Sequence, residues 1–126
     1  MIVGTSGGGE AVDSALKLAR HYHRLAGKPT KTKFISRTMS YHGTTFGGMA
    51  VTGLTFLREA YEPMAPGACH VPATNTYRLP EGHSPDEFAE AIEGRVLFEG
   101  PDTVAAVIIE PVQNGGGCIP APPGYF

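Results

Sequence analysis

Val104-Ala105-Ala106-Val107-Ile108-Ile109 is an unbroken apolar run, closed by Glu110-Pro111. A run this short, ended by proline and rich in β-branched residues, predicts a strand buried on both faces of a parallel sheet. Upstream, Ser84-Pro85-Asp86-Glu87 places serine at an N-cap, proline at the first helical position and glutamate at the reciprocal capping position. Phe88, Ala91, Ile92 and Val96 then give the following helix an apolar side. A helix feeding a buried strand is a crossover connection, and the fold class read from it is α/β.

Further out, Thr32–Arg37 reads as a second short strand. Glu10–Ala26 reads as a helix whose apolar face is Val12, Ala15, Leu16, Ala19, Tyr22 and Leu25. Asp13, Lys17, Arg20, His21 and Arg24 fall mostly on its other side, and Asp13 and Lys17 have the spacing of a favourable i,i+4 pair. Gly27 suits the C′ position and Pro29 prevents continuation. Met1-Ile2-Val3 resembles the end of a strand. Thr44–Thr52 is expected to be helical, although Gly47 and Gly48 weaken it by about 1 kcal/mol each. Residues 53–83, with Pro63, Pro66, Pro72 and Pro80, read as a long surface loop with a helical piece near Phe56–Tyr61. Residues 112–126 show no further element. Both ends of the α/β pattern look cut.

Composition narrows the function classes. The chain has 126 residues, 41% of them hydrophobic and 17% charged, so disorder is excluded as its overall state. A formal net charge of −2 gives no general attraction for nucleic acid or an anionic membrane. No apolar run approaches the ~20 residues of a membrane span, and the N-terminus has no signal-peptide pattern. Cys69 and Cys118 are too few for a disulfide scaffold or a four-thiolate metal site, and a reduced cytoplasmic setting is the default expectation. Seventeen glycines and 11 prolines exceed what one small domain needs for turns and suit a slice of a larger enzyme with ligand-holding loops.

Three places have chemistry to offer. Ser6-Gly7-Gly8-Gly9-Glu10-Ala11 feeds a glycine turn into a helix, leaving unpaired N–H groups at a positive dipole end, which suits a phosphate. It lacks the Gly-Lys-Ser/Thr of a Walker loop, and Val12 occupies the third glycine position of a dinucleotide fingerprint. Ser40-Tyr41-His42-Gly43 follows a strand, where the Tyr41 ring has either a planar ligand or a core to pack against. Glu110-Pro111-Val112-Gln113 lies at the carboxyl end of a strand, the edge where open parallel sheets bind ligands, so Glu110 and Gln113 are candidate polar anchors. Cys69-His70 with His83 has no metal-ligand spacing, and Lys28, Lys31 and Lys33 read as solvated loop and strand-entry charge.

Together, "SGGGEAVDSALKLARHY", "ISRTMSYHGTTFGGMAVTG" and "AAVIIEPVQNGGGCIPAPPGYF" resemble the class-III aminotransferases, the omega-amino acid branch of the fold-type-I pyridoxal-phosphate enzymes. The resemblance covers nearly the whole chain in order. It implies that residues 1–126 are part of a cofactor-binding large domain, a mostly parallel sheet with flanking helices, incomplete at both ends. It implies pyridoxal 5′-phosphate as cofactor, with Gly8 and Gly9 offering N–H groups to its phosphate. Tyr41 would stack on the ring, His42 and Gly43 would shape that turn, and Glu110 would join the polar network around the ring. The reaction implied is transfer of an amino group from an amine or omega-amino acid to a keto acid, by a homodimer. No catalytic residue is assigned within the chain, because the Schiff-base lysine and the ring-nitrogen aspartate of the family would lie beyond Phe126.

Two positions depart from the family pattern. Serine or threonine usually precedes the motif glutamate, and here Gly9 does, a change expected to weaken phosphate binding by about 1–2 kcal/mol. Ornithine- and 4-aminobutyrate-type members carry a second glutamate where this chain has Gly115, which argues against those glutamate-using types and leans towards a pyruvate-using or an uncharacterised relative. The competing readings are a non-catalytic phosphate- or nucleotide-binding module and a truncated, inactive product.

Overall fold

The computed structural model describes residues 4–79 and 81–126; the strand end read at Met1–Val3, and Pro80 of the long loop, lie outside the described residues. Helix α1 spans Gly8–Leu25 and strand β1 Lys33–Arg37. Two short helices follow, α2 (Phe46–Val51) and α3 (Thr55–Arg58), and then strand β2 (Ala68–Val71). Helix α4 (Glu87–Glu99) precedes strand β3 (Val104–Val107), and the two-residue strands β4 (Val112–Gln113) and β5 (Ile119–Pro120) close the chain. The main sheet has the order β2-β1-β3, and β1 is parallel to both neighbours. The α/β class with a parallel sheet and flanking helices is therefore what the chain adopts.

One side of the sheet is apolar. Ile35, Val71 and Val104 form the buried cluster, and Ala91, Ile92 and Val96 of α4 pack on it, as the periodicity of that helix requires. The Ser84–Glu87 motif closes a turn before α4, with the Ser84 N–H donating to Glu87 Oε1 at 2.9 Å and the Asp86 N–H to Ser84 Oγ at 3.2 Å. The helix itself begins at Glu87, two residues after the expected Pro85, with Asp86 at its N-cap and no side-chain cap bond. The far end of α4 is tied to the sheet by lysine. Lys33 Nζ reaches the Glu99 carboxylate and the Glu99 carbonyl, both at 3.0 Å, and Lys31 Nζ reaches the Pro101 carbonyl. These two lysines are thus anchored rather than merely solvated.

The other side of the sheet departs from the expected helix face. Within α1, Val12, Leu16 and Ala19 are half-buried, whereas Ala15, Tyr22 and Leu25 are exposed. Asp13 and Arg20, expected on the polar side, also reach across to the sheet and α2, Asp13 half-buried and Arg20 still exposed. Asp13 Oδ1 accepts from the Gly48 N–H and lies the same 2.9 Å from Thr45 Oγ, and no pair with Lys17 forms. Arg20 stacks its guanidinium 5.0 Å from the Phe34 ring centroid and donates to the Thr32 carbonyl at 2.9 Å. For Asp13 the reason is the pair of glycines in α2. A Cβ on Gly47 would stand 2.5 Å from Asp13 Oδ1, and one on Gly48 would stand 2.7 Å from the His42 carbonyl oxygen. These glycines cost helix propensity but let α2 lie close enough for Asp13 to cap it. Asp13→Ala is accordingly expected to cost about 1 kcal/mol, a fall of about 4 °C in Tm, with Asp13→Asn milder; thermal unfolding followed by circular dichroism measures both.

Several boundaries differ from the sequence reading. Helix α1 begins at Gly8, two residues before the expected Glu10, and ends in a Schellman turn in which Lys28 N–H donates to the His23 carbonyl and Gly27 takes φ +74°. Strand β2 sits inside the segment read as loop. Flanked by Gly67 and Pro72, Ala68-Cys69-His70-Val71 has no alternating pattern, and pairing with β1 makes it a strand. Strand β3 is shorter than the apolar run and is not buried on both faces. It has one neighbour among the described residues and Val107 is exposed. The tail read as featureless folds back as the antiparallel pair β4–β5.

Candidate functional site

The loop after β1 and the amino end of α1 meet at one cleft of about 310 Å³, whose walls include Gly8, Gly9, Tyr41, His42, Gly43 and Thr44. Four of the five residues singled out in the sequence line it directly. Glu110 does not. Its carboxylate instead accepts from the Tyr41 N–H at 3.0 Å and from the Asn114 N–H at 3.3 Å. Glu110 therefore holds the main chain that presents Tyr41, and joins the cleft by one hydrogen bond.

The amino end of α1 has no side-chain cap, because Gly7 stands at the N-cap. The first helical bond runs from the Ala11 N–H to the Gly7 carbonyl at 3.0 Å. The N–H groups of Gly8, Gly9 and Glu10 thus have no acceptor among the described residues, the condition under which a helix terminus takes an anion. Glu10 would oppose an anion, but its carboxylate is turned back onto the Ser6 N–H and hydroxyl, each at 2.7 Å. Those two bonds hold its carboxyl below the usual carboxylate range.

Opposite the helix end, Gly43 takes φ +114°, and a Cβ there would stand 2.7 Å from Gly9 Cα. The two loops touch backbone to backbone. Thr45 Oγ lies 3.1 Å from the Gly9 carbonyl, and a Cβ on Gly9 would meet Thr45 Cγ2 at 3.0 Å. Thr45 thus occupies the room a larger residue 9 would need. The sequence reading gave Thr45 no part in the site; the small residues around it, Gly43-Thr44-Thr45-Phe46-Gly47-Gly48, were the available signal.

Tyr41 is 41% exposed. Behind it lies the loop after Glu110, where a Cβ on Gly115 would come within 2.9 Å of Tyr41 Cβ. His42 is buried. Its N–H donates to Thr52 Oγ at 2.9 Å, and its Nε2 has no partner. Burial first, then the charges of Arg37 and His70, push its pKa down to about 4, so the imidazole is neutral near pH 7.

Gln113, read as a polar anchor, is instead wholly buried. Its Nε2 donates to the Thr38 carbonyl at 2.9 Å and its Oε1 accepts from the Thr74 N–H at 3.3 Å, ties that join the tail to the end of β1. His70 faces the Thr52 carbonyl at 3.2 Å and His83 faces Glu87 at 2.7 Å. Among the described residues no group of three or more His, Cys, Asp or Glu side chains is placed to hold a metal, and no helix is long and apolar enough to cross a membrane.

The comparisons with known proteins agree over the full length. The family model described as "Aminotransferase class-III" matches residues 1–126. A Mycobacterium tuberculosis protein named as an aminotransferase is 56% identical over 126 residues, which cover 97% of this chain and 27% of that protein. Gamma aminobutyrate transaminase 1 of Solanum lycopersicum is 41% identical over 128 residues, covering 97% of this chain and 25% of that protein. In three dimensions the chain resembles an (S)-enantioselective omega-transaminase from Thermomicrobium roseum, with a TM-score of 0.89 at 40% identity, over 96% of this chain and 28% of that one. The chain spans about a quarter of the length of these relatives.

Proposed function

This chain belongs to the class-III aminotransferase family, and we propose that it forms the phosphate-holding and ring-facing walls of a pyridoxal-phosphate site used for amino transfer. Class-III aminotransferases depend on pyridoxal phosphate. The observation that carries the reading is one cleft with uncapped helix amides at one end and a half-exposed phenol ring on its wall. That combination fits a small phosphorylated heterocycle. The backbone contact of Gly43 with Gly9 keeps the space free of side-chain atoms where the phosphate would approach.

In this reading the N–H groups of Gly8 and Gly9 take the phosphate, and the α1 dipole adds to their pull. Tyr41 presents its face to the ring, held by Glu110 on its main chain and by the Gly115 loop behind it. His42, neutral and dry, completes the wall without adding positive charge. When bound, pyridoxal phosphate supplies an aldehyde that captures an amine and a ring that withdraws electrons from the adjoining carbon. The donors proposed are amines and omega-amino acids, and the acceptor is a keto acid such as pyruvate. A glutamate at position 115 would press on Tyr41, so Gly115 favours an acceptor handled without a second carboxylate at that place.

None of the four lysines lines the cleft. Lys31 and Lys33 are bound at the opposite end of β1, and Lys17 borders a separate cavity between α1 and β1. We therefore assign this chain cofactor binding without turnover. The reactive lysine and the aspartate for the ring nitrogen would come from other parts of a longer polypeptide, working as a homodimer.

Equilibrium dialysis against pyridoxal phosphate, pyridoxal, ATP and NAD tests the reading. Pyridoxal phosphate should bind, pyridoxal at least about tenfold more weakly, and Tyr41→Ala should weaken the phosphate ester about tenfold. Borohydride should fix no cofactor to any lysine. Binding of ATP or NAD with no response to pyridoxal phosphate would make this a nucleotide-binding module. Stoichiometric fixation at one lysine, with turnover, would overturn the assignment of binding alone.

A further inference from the structure

Arg37, the last residue of β1, is wholly buried. Its Nη1–H donates to Thr74 Oγ at 3.2 Å and its Nη2–H to the Glu110 main-chain carbonyl. The Tyr125 ring covers it, with the centroid 5.5 Å from the guanidinium carbon. Two buried polar atoms are left over here, Arg37 Nε and the Tyr125 hydroxyl. A guanidinium does not deprotonate, so its charge must be met in place.

No carboxylate of the chain meets it. All 12 acidic side chains lie in the described residues, and those that form ion pairs do so with Lys33, Arg58, His83 and Arg95. The acid nearest in the chain of contacts, Glu110, offers Arg37 its carbonyl while its carboxylate is committed to two backbone amides. A buried guanidinium held only by neutral acceptors, with its Nε–H left without any acceptor, has an unmet charge and donor that a carboxylate satisfies.

We propose that Arg37, with the Tyr125 hydroxyl beside it, is the receptor for a carboxylate that this chain does not supply. Two sources share that chemistry. One is an acidic side chain from another part of a longer polypeptide, since the relatives are several times the length of this chain. The other is a small carboxylate such as a keto acid, admitted when Tyr125 and the tail around it lift. Either way the anion lies behind the wall that carries His42 and Glu110, and it alters the field at the cleft without touching the phosphate-binding amides. The inference rests on Arg37 and Tyr125 and stands whatever the cleft binds.

The test uses the complete polypeptide that carries this sequence, with Arg37→Met and Arg37→Lys. Thermal unfolding is followed in chloride, formate and pyruvate at equal ionic strength. A small carboxylate as ligand gives a saturable rise in Tm with formate or pyruvate that Arg37→Met abolishes. A side chain as ligand gives no such rise. Instead Arg37→Met lowers Tm by about 5 °C or more, and one Asp or Glu outside residues 1–126, replaced by its amide, gives the same loss without adding to it. Should Arg37→Met fail to fold, the formate titration and the same acid scan against Arg37→Lys decide. The proposal is overturned if no carboxylate raises Tm and no acid couples to either variant.

Discussion

Gly43→Ala is expected to dismantle the cleft and to cost about 3 kcal/mol or more of stability, a fall of about 10 °C in Tm. Two separate costs combine. At φ +114° an L side chain is strained whatever the space around it. In addition, the new Cβ would stand 2.7 Å from Gly9 Cα and 3.3 Å from the Gly9 amide nitrogen, backbone atoms that cannot rotate away. Relief requires the amino end of α1 to move off the Tyr41–His42 turn, and this separates the amides from the ring. Pyridoxal-phosphate affinity should therefore fall about a hundredfold, the loss expected when a charge-assisted contact and its orientation go together. Gly82→Ala is the control, because Gly82 takes φ +86° but a Cβ there meets nothing within 4 Å. It pays only the conformational cost, about 1 kcal/mol. Calorimetry and dialysis on both variants separate the two costs, and equal losses would mean that the Gly43–Gly9 contact does not organise the cleft.

The sequence disclosed those features whose physics is local. Ser84, Pro85 and Glu87 announce a helix to within two residues, and their bonds close the turn from which α4 starts at Glu87. The glycine turn before α1 announces an uncapped helix end, and the structure leaves those amides bare. What stayed hidden depends on neighbours distant along the chain. Strand β2 exists because Ile35 pairs with Cys69, and nothing in Ala68–Val71 signals it alone. Asp13 reaches α2 because Gly47 leaves it room, and Arg20 reaches over Phe34 beside Gly67, so polar side chains share the face that hydrophobic spacing assigned to Val12, Leu16 and Ala19. Glu110 stood at the expected edge, but only the fold shows its carboxylate gripping the Tyr41 main chain rather than lining the cleft. Arg37 had a legible signal, a charged residue ending a buried strand, whose meaning waited on the absence of any acid beside it.

Lowering the pH from 7 to 5 is expected to cost about 1–2 kcal/mol of stability through His42 alone. Its pKa is near 6.5 when unfolded and is pushed down to about 4 in the fold. Between those values the unfolded chain holds a proton that the folded chain refuses, so stability is full above pH 6.5 and drains as pH falls towards 4. The groups acting on the imidazole are Arg37 from β1 and His70 from β2, both opposing its protonation, and burial opposes it more than either. His70 is itself held below its usual value, chiefly by burial and the Arg58 charge, and contributes in the same direction. Glu10, Glu87 and Glu99 are also lowered, but from 4.5, so most of their loss falls below pH 5. Urea unfolding at pH 7 and pH 5 therefore reports mainly on the histidines. His42→Gln should remove most of the difference and His70→Gln only part of it. If His42→Gln keeps the full difference, His42 is not the group that stays neutral behind Tyr41, and the uncharged wall assigned to the cofactor cleft fails with it.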